Sequence, residues 1–175
     1  MTDQKQNPSK PLVGIVMGSD TDLPVMTDTA RTLKEFGIPF EIEITSAHRS
    51  PARTAEYART AVERGLKAIV VGAGGASHLA GIIAAETTLP VIGVPIASTP
   101  LAGMDALLST VQMPGGVPVA VMAIGKAGAV NAAIFVAEII ATAHGELAER
   151  LRQYKERLAR TVAEKSEKLK REFSV

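Results

Sequence analysis

The chain has 175 residues, a length that suits one domain and is enough to bury a substantial apolar core. Its formal net charge of +1, with 21% charged residues, gives no global field to recruit nucleic acid or an anionic membrane, and an aromatic content of 3% without tryptophan removes the stacking platforms of a single-strand binder. Cysteine is absent, which excludes disulfides, thiolate metal sites and cysteine nucleophiles and fits a reducing, cytoplasmic setting.

Residues 1–10 are polar, hold no apolar h-region and read as a flexible leader rather than a signal peptide. No apolar run approaches the roughly 18 residues of a spanning helix, so no membrane partner is expected. The first β-rich run, Leu12 to Met17, leads through Gly18-Ser19-Asp20-Thr21-Asp22 into a helix from Leu23 to Phe36 that stops at Gly37. The second run, Phe40 to Thr45, passes through Ser46-Ala47-His48-Arg49-Ser50 to a helix that opens on Pro51 and ends at Arg64 before Gly65. A third run, Ala68 to Gly72, precedes a glycine-rich loop and a helix from His78 to Thr87. The fourth, Val91 to Val94, is followed by a loop from Pro95 to Gly103; the fifth, Val117 to Ala123, leads to a helix from Gly128 to His144.

Most of these strands are near-continuous in Val and Ile, the mark of parallel strands covered on both faces. The alternation predicts an α/β fold, with one catalytic domain over 11–145. A flavodoxin-like three-layer α/β/α sandwich around a five-stranded parallel sheet is the first expectation for its strand order. Over 146–175 the composition turns to charge, nine Lys or Arg against six Asp or Glu, and a long amphipathic C-terminal helix is predicted. Its stripe of Leu147, Leu151, Tyr154 and Leu158 extends past the five-strand body. The plain reading is a solvated surface helix, but a stripe of this kind needs something to bury it, and a neighbouring subunit is expected over packing against the chain itself.

Ligands of parallel α/β sheets sit outside the carboxyl ends of the strands, where loops vary and helix N-termini offer free N–H groups. The Gly18 loop supplies hydroxyls and N–H donors that suit a phosphate, although Ser19, Thr21 and Asp22 are equally ordinary N-cap residues. Asp22 would repel phosphate and is better matched to ribose hydroxyls or a ring amine. Gly72-Ala-Gly-Gly-Ala-Ser77 only brushes against the dinucleotide fingerprint, and no acidic residue follows some 20 positions on, so a dinucleotide oxidoreductase is disfavoured. Those glycines allow backbone N–H groups close to a carboxylate, or they simply make a tight turn.

His48 beside Arg49 is the sharper signal, because an imidazole exchanges a proton near neutral pH while a guanidinium fixes an anion, and the adjacent cation favours the neutral ring. His48 and His78 lack further nearby ligands for a metal, and no nucleophile elbow or Walker A string is present. His144 falls at a predicted helix end and reads as a surface or capping residue.

Five ordered strings carry a stronger likeness: M-G-S-D-T-D at 17–22, S-A-H-R-S-P at 46–51, G-A-G-G-A-S-H-L at 72–79, L-P-V-I-G-V-P at 89–95 and V-Q-M-P-G-G-V-P-V at 111–119. Together they resemble the class I N5-carboxyaminoimidazole ribonucleotide mutase family over about Pro11 to Ala143. The resemblance implies a homo-octamer with sites at subunit contacts and a nucleotide substrate, without metal or organic cofactor. It makes His48 the general acid and base, and Ser19, Thr21, Asp22, Ser46 and Arg49 nucleotide-binding, with Arg49 and the Gly18 loop at the phosphate end. Gly74 and Gly75 would receive the migrating carboxylate, with His78 supporting that loop, and His78 and Leu79 are counted with the substrate-binding residues. The family's usual A-A-H-L-P-G stands here as Ala76 to Gly81 with Ser77 and Ala80 in place of alanine and proline, which bears on the rigidity of that loop.

The implied chemistry is carboxyl migration from the exocyclic nitrogen to carbon 4 of an aminoimidazole, with the carbon dioxide enclosed between two proton transfers. Two alternatives remain: direct carboxylation of the unmodified nucleotide, for which lysine is expected at position 49, and a non-enzymatic flavodoxin-like nucleotide-binding module, for which aromatic residues are scarce.

Overall fold

The computed structural model describes residues 10–173, so the leader expected over 1–10 lies outside it except for Lys10, as do the last two residues of the expected C-terminal helix. The chain divides into two compact units, one up to Val136 and one from Ala137 onward.

The sheet of the first unit holds β1 (Val13–Met17), β2 (Phe40–Ile44), β3 (Ala68–Gly74), β4 (Val91–Ile96) and β5 (Ala120–Val121), all parallel in the order β2-β1-β3-β4-β5. This is the flavodoxin-like order expected from the alternation of strands and helices. Strands β1, β3 and β4 are buried along almost their whole length, as strands covered on both faces must be.

The edges differ. In β2 the sequence alternates, Phe-Glu-Ile-Glu-Ile, and the strand is only half-covered. Glu41 and Glu43 form ion pairs with Arg64 and Arg53, while Ile42 and Ile44 remain exposed. At the other edge the run expected from Val117 to Ala123 makes ladder pairs only at Ala120–Val121. Pro118 has no N–H to give, and Pro95 of β4 likewise removes a donor from the facing ladder. Met122 N–H to Gly93 O (2.9 Å) and Gly125 N–H to Pro95 O (2.9 Å) still hold the segment alongside β4.

Helices α1 (Leu23–Glu35), α2 (Pro51–Arg64) and α3 (Leu79–Glu86) fall within a residue of their expected ends. Proline at N1 and the left-handed Gly65 (φ 96°) delimit α2 for the reasons the sequence offered. The sequence reading placed no helix at α4 (Met104–Val111), which is short and has left-handed Gly103 at its N-cap position. It buries Ala106 and Thr110 one turn apart while Met104, Leu108 and Val111 stay exposed. α5 (Lys126–Ala141) begins two residues earlier than expected, and the Thr29 hydroxyl of α1 donates to the Ala129 carbonyl at 2.9 Å. One core cluster joins Val16, Ile69 and Val71 of the sheet to Ala58 and Ala61 of α2 and Leu79 and Ile83 of α3.

In the second unit α6 (Gly145–Glu172) follows the end of α5, and Lys155 pairs with Glu138 at 2.7 Å. Its apolar positions repeat every 11 residues, Leu147/Leu158/Leu169 and Leu151/Val162/Phe173. Leu147 and Leu151 are buried, whereas Leu158 is 50% and Val162 69% exposed, so the stripe leaves about the last four turns uncovered. No helix among the described residues is long and apolar enough to cross a membrane.

Candidate active site

Loops from four strand ends meet over the carboxyl edge of the sheet around a cleft of about 320 Å³. The chain passes from β1 to the β2 edge and returns to β3 on the other side of β1, so the loops after β1 and β3 diverge and leave a crevice.

After β1, Ser19 caps a single 3-10 turn (Asp20–Asp22): its hydroxyl accepts from Thr21 N–H at 3.3 Å, and its own N–H donates to Asp22 Oδ2 at 3.1 Å. The capping reading of this loop is therefore correct, and the same residues line the cleft. Asp22 is buried, which pushes its carboxyl above the usual range against the opposing pull of the Ser19 and Gly18 N–H groups.

After β2 the backbone turns on Ser50, whose hydroxyl accepts from Ser46 N–H at 3.0 Å. That turn lifts His48 and Arg49 into the open. The Arg49 guanidinium reaches across to the first loop, donating from Nη2 to Gly18 O (3.2 Å) and from Nε to Ser46 Oγ (3.4 Å). Two of its five N–H donors are used in holding the fork, and the others remain for an anion.

After β3, Gly74 lies so close to the fourth loop that a Cβ there would come within 1.9 Å of Ser98 Oγ, and Gly75 is left-handed (φ 58°). The turn carries His78 toward the second loop, where its Nδ1 lies 2.7 Å from His48 Nε2 with the two rings nearly perpendicular at 82°. One ring must donate and the other accept, so His78 holds His48 in one orientation and leaves its Nδ1 for a ligand.

Of the residues singled out from sequence, Ser19, Thr21, Asp22, Ser46, His48, Arg49, Gly74, His78 and Leu79 line this cleft together; Gly75 sits in the adjoining turn and does not. Ala47, Ala73, Ser77 and Ser98 line it as well. Ser98 was missed because the loop after β4 has no charged or glycine-rich string; its place after a strand end was the only signal. The direct contact of the two imidazoles was also missed, since 30 residues separate them. Among the described residues no three His, Cys, Asp or Glu side chains gather as a metal site.

A family model described as AIR carboxylase matches residues 12–161. The N5-carboxyaminoimidazole ribonucleotide mutase of Pyrococcus horikoshii is 57% identical over 91% of this chain and 89% of its own length. The protein of that name from Bacillus subtilis is 54% identical over 91% of this chain and 99% of its own. A crystal structure of Treponema denticola PurE superposes with a TM-score of 0.82 at 31% identity, covering 91% of this chain and 99% of that one.

Proposed function

The chain belongs to the AIR carboxylase family, and on that footing we propose that it serves purine biosynthesis as a mutase, moving the carboxyl group of N5-carboxyaminoimidazole ribonucleotide from the exocyclic nitrogen to carbon 4 of the ring. The observation that carries the assignment of roles is the convergence of His48, braced by His78, with the Arg49 fork in one cleft.

His48 in its protonated form gives one proton to the carbamate nitrogen. The N–C bond breaks, carbon dioxide leaves, and the amine keeps the electron pair. Carbon 4 of the electron-rich imidazole then attacks the carbon dioxide, and neutral His48 removes the carbon-4 proton, restoring both the aromatic ring and its own charge. One proton is lent and returned, so the reaction is a net isomerisation. Arg49 and the Ser19 and Thr21 hydroxyls hold the phosphate, Asp22 the ribose or ring amine, and the Gly74-Gly75 turn the carboxylate, fixing carbon dioxide and ring at reacting distance. Supplied with N5-carboxyaminoimidazole ribonucleotide in bicarbonate-free buffer, the purified protein should form the carbon-4 isomer. Inactivity there, combined with carboxylation of the bare aminoimidazole nucleotide by added bicarbonate, would show a direct carboxylase instead.

Retaining carbon dioxide requires a cover, yet His48, Arg49 and His78 are exposed. Neighbouring copies in a homo-octamer, working in the cytoplasm, supply that cover. The uncovered apolar faces of α4 and of the outer half of α6 support such an assembly. Light scattering should give eight copies, and truncation after Arg157 should weaken the assembly; a fully active monomer would refute the shared site.

A further inference from the structure

Ser77 is one of two non-glycine residues among those described with a left-handed backbone (φ 47°), and it directly precedes His78. Such a conformation is costly for a residue with a Cβ and persists only where its surroundings hold it. The surroundings here come from α4. The single proton of the Thr110 hydroxyl is shared between Ser77 Oγ at 2.8 Å and the Ala106 carbonyl of its own helix at 2.7 Å, and Ser77 Oγ lies 3.3 Å from the Ala73 carbonyl; both residues are buried. One residue earlier on α4, the Ser109 hydroxyl donates to the Ala76 carbonyl. The Thr110 methyl fits over Gly93 of β4, where a Cβ would lie 2.8 Å from it, so Thr110 is itself pinned to the sheet. The result is a continuous line of contacts from β4 through α4 to the turn that presents His78.

We propose that Ser77 and Thr110 are positioning residues for the proton step: their buried hydroxyl pair fixes the left-handed turn that sets His78 against His48. The proposal rests on the reading of His48 as the proton carrier. Ser77 borders the cleft, but its hydroxyl is turned to Thr110 and Ala73, and both hydroxyls act through the His78 ring. The 2.7 Å contact between the imidazoles depends on the backbone angles at Ser77, so a small relaxation of the turn separates the rings and frees His48 to rotate.

Thr110→Val keeps the shape and removes the hydroxyl, while Thr110→Ser keeps the hydroxyl. Thr110→Val should lower kcat by about 10- to 100-fold, the scale of a small misplacement of a reacting group, with KM changed less than twofold. Thr110→Ser should restore most of kcat. The Ser77→Ala/Thr110→Val pair should be no worse than the poorer single variant, because both changes break one link. In the nucleotide-free protein, imidazole 15N shifts should show the His48–His78 hydrogen bond in the parent and in Thr110→Ser, and its loss in Thr110→Val. Retention of that bond in Thr110→Val, or a kcat within twofold of the parent in a folded variant, would overturn the proposal. Failure of the reading of His48 as proton carrier would look different: His48→Asn would be active whatever Thr110 did to the rings.

Discussion

Replacing His48 by asparagine should leave a folded protein that binds the nucleotide with nearly parental affinity and turns it over about 10²- to 10⁴-fold more slowly, the usual contribution of one positioned acid–base group. The expectation follows from the geometry. His48 is exposed and belongs to no core cluster, so its loss creates no cavity. The groups assigned to grip the substrate are held by other bonds: Ser19 by Asp22, and Arg49 by Gly18 and Ser46. The asparagine amide ends near the position of His48 Nδ1, the nitrogen left for a ligand, and it cannot take a proton, which separates binding from proton transfer. A loss in kcat with KM intact identifies an interaction made in the transition state; a loss confined to KM, or comparable activity in mutant and parent, would remove His48 from the chemistry.

Much of this site was legible because its loops are short and follow strands whose type is unambiguous. Ser46 to Ser50 lies between a β-rich run and a proline-started helix, so the sequence alone places His48 and Arg49 at a strand's carboxyl end. The edges were less legible. Hydrophobic runs predict strands, but whether a run pairs depends on its donors, and Pro118 leaves β5 with two residues where seven were expected. The α4 helix was not legible because Met104, Leu108 and Val111 put apolar residues on its exposed side, so the sequence pattern does not mark an inward face. Ser77 shows the same limit at a single residue. The serine that stands where the resemblance leads one to expect alanine looked like a threat to loop rigidity, but the fold gives its hydroxyl to Thr110, 33 residues away. Sequence spacing carries local geometry well; contacts across the sheet need the strand order, which the spacing alone leaves open.

Arg49 gives the second large effect. Its guanidinium ties the loop after β2 to the loop after β1, through Gly18 O and Ser46 Oγ, and on the proposed reading its remaining donors grip the phosphate. Lysine carries the same charge on a single ammonium and cannot span both acceptors while presenting a planar fork to an anion. Arg49→Lys should therefore raise KM by about 10- to 100-fold, the scale of losing one or two hydrogen bonds to a charged group, with kcat at saturation lowered much less. Arg49→Ala should raise KM further. The phosphate itself supplies the control: the nucleoside lacking it should bind the parent and Arg49→Lys equally poorly, since the interaction removed by the mutation is then already missing. If the nucleoside still distinguished the two proteins as strongly as the nucleotide does, Arg49 would be holding the loops together and not the phosphate, and the orientation of the substrate in the cleft would have to be reversed.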